Sequence, residues 1–327
     1  MEDNSAFAKA QQKQNTCIAF YNLENLFDTT NNPHNLDDDF TPEGIRNWNT
    51  YKYEKKLEKL SSVISKIGRI ETNTAPSILG VAEVENKSVL EDLIATDRLK
   101  EENFGIVHYD SPDERGIDVA LLYKKNDFIV IESKPITLML EAKEGGRDYT
   151  RDILYVKGNL HDSTVHILVN HWPSRRQGAN DTAHKRITAA ARNREIIDNI
   201  LAANPDARII VMGDFNDGPH SESIKTHLAK TDLYNPMLYL GTKYAGSLNH
   251  KFEWFIFDQI LMTNNFVKMH KNPLLYDKSD IFNDFFITEF EGRFKGNPFR
   301  TYAGDRYLGG YSDHFPVYSI FTATLNS

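Results

Sequence analysis

Short apolar runs, recurring along the whole chain and bounded by polar residues, constrain what this sequence can fold into more than any other feature. Cys17 to Tyr21, Ser77 to Val84, Ile117 to Tyr123, Ile153 to Val156, His166 to Asn170, Ala207 to Met212, Phe255 to Met262 and Pro316 to Thr322 are short for helices and read as buried strands. Two longer segments carry helical periodicity: Tyr53 to Ile70, where Leu57, Leu60, Ile64 and Ile67 form one stripe, and Thr182 to Ala203. A shorter helix is expected after Pro219, and Asn264 to Tyr311 reads as a long aperiodic stretch rich in aromatics, Gly and Asn. Helices interleaved with strands predict an α/β fold with many strands.

With no internal repeat, low-complexity linker or break in composition, the 327 residues read as one domain over 16–327 behind a polar arm, 1–15. Within the arm, Ala6-Phe7-Ala8-Lys9-Ala10 has the small-residue alternation of a signal-peptidase site, with no apolar segment ahead of it. Two readings stay open: the remnant of an export signal on a periplasmic or extracellular protein, or a polar tail on a cytoplasmic one. The single cysteine, Cys17, excludes an intramolecular disulfide framework and a cysteine-based zinc site. No apolar run approaches the roughly 18 residues that a membrane span needs, so no integral membrane segment is expected. A net charge of −8 gives no uniform grip on duplex nucleic acid. A polyanionic substrate must therefore meet a local basic cluster or a bound cation.

The residues that bound the apolar runs carry the chemistry. Asn22 and Glu24 follow the first run, Glu83 sits near the end of the second, and Asp214 and Asn216 follow Ala207 to Met212. Residues two apart on an extended segment share a face, so each of the two pairs sets a carboxylate beside an amide. A carboxylate can bind a hard cation or accept a proton, and the amide can fix a water or phosphate oxygen without adding charge. Glu83, at the end of Ile78 to Ala82, needs a partner, either a metal or an arginine. Asp313 and His314 precede Pro316, which favours a strand's first residue, so both can project into one cleft. Asp258 is suited to accept the ring proton of a histidine, and His171 leads into Arg175 and Arg176, which can contact phosphate. Arg115 is a phosphate contact or a partner for Asp118. Taken together, the set suits attack of water on a phosphoester.

In their order along the chain, from Phe20-Tyr21-Asn22 through Glu83, His171, Gly213-Asp214-Phe215-Asn216 and Asp258 to Ser312-Asp313-His314-Phe315-Pro316, these segments resemble the endonuclease/exonuclease/phosphatase superfamily. That superfamily includes apurinic endonucleases of exonuclease III type, pancreatic-type deoxyribonucleases, sphingomyelinases and inositol-polyphosphate 5-phosphatases. The resemblance implies a four-layer α/β/β/α sandwich, two mixed sheets packed face to face with helices outside. It further implies Mg²⁺ or Mn²⁺ as cofactor, Glu83 as the main metal ligand with Glu24 in the same pocket, and Asp313 near a second metal. Asp214 would activate the attacking water and Asn216 would hold it, while His314, oriented by Asp258, would stabilise the transition-state charge. Asn22, Arg115 and Arg175 are the residues expected at substrate phosphate. Family members usually carry Asp where this chain has Glu24. His171 matches the deoxyribonuclease and sphingomyelinase branches, where apurinic endonucleases carry a tyrosine.

The expected partner is a phosphoester substrate, DNA or RNA among the options, cleaved by a monomeric phosphodiesterase of nuclease type. The alternative is a phosphatase or phosphodiesterase acting on a small or lipid-linked phosphate. In that case Phe285, Phe286, Phe299, Tyr302 and Tyr307 would form a lid, rather than ordinary loop packing. A catalytically inactive binding protein on the same scaffold is the third reading; the presence of Glu83, Asp214, Asp258 and His314 counts against it.

Overall fold

A computed structural model describes residues 12–142, 144–176, 178–268 and 272–325. Two six-stranded sheets dominate it. The strands of the first sheet are β1 (Gln12–Leu26), β2 (Ile78–Val84), β3 (Phe104–His108), β4 (Asp118–Lys124), β11 (Leu274–Ile281) and β12 (Val317–Leu325). Those of the second are β5 (Phe128–Ile136), β6 (Ile153–Leu160), β7 (Ser163–His171), β8 (Arg208–Asp214), β9 (Leu233–Tyr234) and β10 (Asp258–Thr263). Their spatial orders are β11-β12-β1-β2-β4-β3 and β9-β10-β8-β7-β6-β5. Each sheet is mixed, with one parallel pair at its heart: β1 with β2, and β7 with β8. The halves therefore share a layout in which the carboxyl ends of the parallel pairs carry the polar residues singled out above.

The sheets pack face to face. One cluster joins Ile18, Phe20, Leu79 and Val81 of the first sheet to Val156, Ile167, Met212 and Ile260 of the second. At its centre the packing is tight: a Cβ on Gly80 would lie 2.5 Å from the Met212 sulfur, so a side chain there would force Met212 to move. Helix α1 (Thr50–Ile64), with the Asn49 side chain capping the Lys52 N–H, and helix α2 (Lys87–Ile94) bury Leu57, Leu60 and Leu90 into the same cluster. Helix α3 (Ala183–Ala203) covers the far face of the second sheet, packing Ala189, Ala190 and Ile197 with Leu168, Ile209 and Val211. The α/β/β/α sandwich is the expected one. No helix of the described residues is long and apolar enough to cross a membrane.

Several expectations are corrected in detail. Strand β1 starts at Gln12, inside the segment read as a polar arm, because it pairs with β12 from Gln12↔Leu325 onward. The Ala6 to Ala10 segment lies outside the described residues. The helix expected to run to Ile70 stops at Ile64; Gly68, at φ 64°, opens a separate short turn, Arg69–Thr72. The segment after Pro219 is a π-helix, Ser223–Ala229. The aperiodic stretch from Asn264 contains β11, an edge strand whose polar middle hides the alternation that marks a strand.

Candidate active site

Three of the predicted residues meet because of strand register. His171 ends β7 and Asp214 ends β8, and the parallel pairing sets them side by side. On the other flank of β8, antiparallel β10 begins at Asp258, opposite Asp214. His171, Asp214 and Asp258 thus form a row across one edge of the second sheet. His314 completes it from the segment leading into β12, its Nδ1 lying 2.7 Å from Asp258 Oδ2. Ser312 fixes that segment: its hydroxyl donates to the Asn22 carbonyl (2.7 Å) and accepts from the His314 N–H (3.1 Å).

Asp214 is the hub. Its Oδ1 accepts the Asn216 N–H (2.9 Å) and its Oδ2 accepts Asn22 Nδ2 (3.1 Å). The same Oδ2 lies 3.7 Å from His171 Nε2 and 3.9 Å from His314 Nε2. Burial raises the carboxyl to about 7, His314 pulls it down, and Asp258 and Glu83 add to the rise. Burial opposes charge on His314, yet the Asp258 carboxylate beside it, with Asp214 and Asp313, carries its pKa well above the usual histidine value. His171 behaves oppositely. Burial, with Arg151, Arg115 and His314 nearby, holds it well below that value, so it stays neutral. One edge therefore presents an imidazolium, a neutral imidazole and a carboxylate poised near neutrality.

Glu83 faces this row from the first sheet, on a backbone turned to φ 61°. Its Oε2 accepts the Asn25 N–H (3.0 Å) and lies 4.0 Å from Arg115, while Oε1 is 3.8 Å from His171 Nε2. Arg115 also donates to Asn25 Oδ1 (2.5 Å) and remains 30% exposed. Two carboxylates, Glu83 and Asp214, thus converge on one nitrogen of a neutral histidine, which holds at most a single proton between them. His171 Nδ1 and Asp258 Oδ1 are buried without a hydrogen-bond partner among the described residues. Two carboxylates facing each other across a neutral imidazole form an oxygen-rich donor set that fits a hard divalent cation. Ligand atoms of Asp214, Asp258 and His314 also lie within 4.8 Å of one another, but a cationic His314 cannot serve as a ligand, which leaves Glu83 and Asp214 to face the cation.

Other predicted residues are placed differently. Asn22 and Glu24 do not share a face, because Glu24 and Asn25 both adopt left-handed backbone, at φ 52° and 55°, and break the alternation. Asn22, expected at phosphate, is buried and orients Asp214. Glu24 turns to the 300–302 segment, accepting the Thr301 N–H (2.6 Å) and lying 3.9 Å from Lys56 Nζ. Asp313 is held by Arg300 (2.5 Å). Arg175 is spent on the turn after β8, donating to the Asn216 carbonyl (2.7 Å) and Asp217 Oδ1 (2.5 Å). The side-chain amide of Asn216 donates to the Trp172 carbonyl (3.0 Å), away from Asp214. In the expected lid, Tyr302 packs on Trp48 and Tyr307, and Phe286 on Tyr311, which is ordinary packing. Phe285 is exposed.

Sequence reasoning missed Lys56. Lys56 is 1% exposed and donates to Thr301 Oγ1 (2.6 Å) and the Tyr311 carbonyl (2.7 Å). Its signal was a lysine on the apolar stripe of α1, beside Leu57 and one turn from Tyr53 and Leu60. Asp217, in the Asp217-Gly218-Pro219 turn that the sequence marks after Asn216, accepts from Arg175 and Ser223 and forms an ion pair with Arg186 (2.9 Å), which fixes that turn.

No curated protein matches the sequence. Among solved structures, the fold is similar to an endonuclease/exonuclease/phosphatase family protein from Bacteroides thetaiotaomicron, at 15% identity over 96% of this chain and 100% of that one, with a TM-score of 0.59. It is also similar to D. rerio TDP2 complexed with single strand DNA product (14% identity, 94% and 98% covered, TM-score 0.58). TDP2 from C. elegans is a third likeness (15% identity, 94% and 75% covered, TM-score 0.57). The family described as Endonuclease/Exonuclease/phosphatase matches residues 17–323. On that match, which takes in every catalytic candidate from Asn22 to His314, the chain belongs to the endonuclease/exonuclease/phosphatase family and is a phosphoric ester hydrolase.

Proposed function

We propose that this protein is a divalent-metal-dependent phosphodiesterase of nuclease type, in which water attacks phosphorus in line with the leaving oxygen. The observation that carries this reading is the row His171, Asp214, Asp258 and His314, set by strand register and split into groups of opposite protonation. Asp214, held by Asn22 and the Asn216 N–H, accepts the proton of the attacking water; a carboxyl near neutrality is matched to that task. His314, kept cationic and oriented by Asp258, faces the negative charge that gathers on the phosphoryl oxygens. Neutral His171 donates a hydrogen bond to a phosphoryl oxygen, and Arg115 supports the same phosphate from the turn before β4. Glu83 is the residue we assign to hold Mg²⁺ or Mn²⁺, which when bound supplies Lewis-acid polarisation of the phosphoryl group. Glu24, Arg175 and Asp313 are assigned to positioning rather than to contact with substrate. The single strand DNA product held by the D. rerio neighbour supports a nucleic-acid substrate here.

The test is hydrolysis with Mg²⁺, with and without EDTA, of single-stranded DNA, plasmid DNA, RNA, bis(p-nitrophenyl) phosphate and p-nitrophenyl phosphate. Cleavage of diesters that EDTA stops, lost in His314→Ala, is expected. Release from the monoester alone would make the protein a phosphatase.

A further inference from the structure

Two loops are rooted at the segment that carries His314. The hairpin Leu248–His250 with Glu253–Phe255 is tied down by Ser247, whose carbonyl accepts the Phe315 N–H at 2.6 Å, and by Trp254, whose ring stacks on Phe315 at 6.1 Å and 16°. The loop through Gly292–Phe294 leads into Arg300, which grips Asp313. At their tips the loops meet: Phe252 and Phe294 lie 5.7 Å apart with their planes 4° from parallel. The Arg293 guanidinium stands 4.6 Å from the centre of the Phe294 ring. These rings are not core residues, since Phe252 is 61% and Phe294 42% exposed. Lys251 and Phe252 both hold left-handed backbone, at φ 51° and 68°, a conformation that costs energy in bulky residues and presents Phe252 at the hairpin tip.

We propose that Phe252, Phe294 and Arg293, on loops rooted at the His314 segment, form a shelf on which an unpaired base of single-stranded nucleic acid stacks. The inference rests on the nuclease reading of the catalytic row and adds the form of its substrate. A base inside a duplex has both faces covered and cannot reach such a shelf, whereas an unpaired base offers a π-face whatever its identity. Charge points the same way. Lys251, Arg293 and Lys295 are nearly balanced by Glu253 and Glu291 around the tips, and the chain as a whole is acidic at −8. Stacking with one cation–π partner, rather than a phosphate-binding groove, therefore supplies the affinity.

The experiment compares kcat/KM with Mg²⁺ for an oligothymidylate, a blunt duplex and bis(p-nitrophenyl) phosphate, in wild type, Phe252→Leu, Phe294→Leu and Phe252→Trp. Leucine keeps the apolar volume without the flat ring. We expect the ratio of oligothymidylate to bis(p-nitrophenyl) phosphate turnover to fall roughly tenfold in each leucine variant, mainly through KM, and to return in Phe252→Trp. Unchanged ratios in both leucine variants would overturn the shelf, as would equal losses on single strand and duplex or a wild type that cleaves only duplex. A wild type inert on all three substrates would instead remove the nuclease reading beneath it.

Discussion

At the scale of single residues, burial and neighbouring charge push adjacent groups of the row toward different protonation states. Asp214 is raised to about 7, chiefly by burial, so the folded protein holds a proton there that the unfolded chain has released. Between the ordinary carboxylate value and about 7, the folded state binds more protons than the unfolded one, so this group's contribution to stability falls as pH rises. In EDTA, wild type should therefore lose more stability than Asp214→Ala between about pH 5 and about pH 7, as read from urea unfolding at each pH. The same variant should lose hydrolysis altogether; a pH slope equal to wild type's would show that Asp214 is not the group that titrates. The types of these residues were legible in the sequence, because charges that bound apolar runs must find a use. Their protonation states were not, since they depend on distances between carboxylates and histidines that lie on different strands.

At the scale of elements, α1 and the loop after β7 each carry a cation that fixes a neighbouring loop: buried Lys56 and half-buried Arg175. Lys56 reaches from α1 to Thr301, the Tyr311 carbonyl and Glu24, joining the helix to the 300–311 segment. Burial lowers Lys56 to about 8 and raises Glu24 to about 7, and Glu24 is shared between Lys56, Arg300 (3.8 Å) and the Thr301 N–H. Lys56→Met should cost about 1.5–3 kcal/mol in urea unfolding by removing its hydrogen bonds and one of the two cations beside Glu24, and Lys56→Met with Glu24→Gln should recover part of it. Additive losses in that double variant would show the pair to be uncoupled. Arg175 holds the Asn216 carbonyl and Asp217, which is why we assign it a positioning role. Arg175→Ala should accordingly lower kcat on bis(p-nitrophenyl) phosphate by tenfold or more while KM changes little, whereas a raised KM at constant kcat would return Arg175 to the phosphate. The elements themselves were legible where periodicity was strong, as in α3, and lost where an edge strand such as β11 has a polar middle. The two-residue spacing argument failed at Glu24 because left-handed backbone there cancels strand alternation.

At the scale of the whole molecule, the packed sheets bring Glu83 from one sheet against the row on the other. A divalent cation that binds only this assembled site should raise the melting temperature with concentration. Mg²⁺ or Mn²⁺ is expected to give that rise in wild type and to lose most of it in Glu83→Gln, by differential scanning fluorimetry from an EDTA-treated start. An equal rise in both would place the cation elsewhere. By itself, the sequence determined the class of the fold, the family and the identity of the acids and histidines, because short apolar runs need strands and the polar residues bounding them persist as local patterns. Only the tertiary structure decided which of them meet. Register across β7, β8 and β10 gathers His171, Asp214 and Asp258, and backbone turns send Glu24 to Lys56 and Arg175 to Asp217. The physical reason is range: hydrophobic periodicity is written over a few neighbouring residues, whereas the partner of a buried charge is chosen by packing between segments tens to hundreds of residues apart.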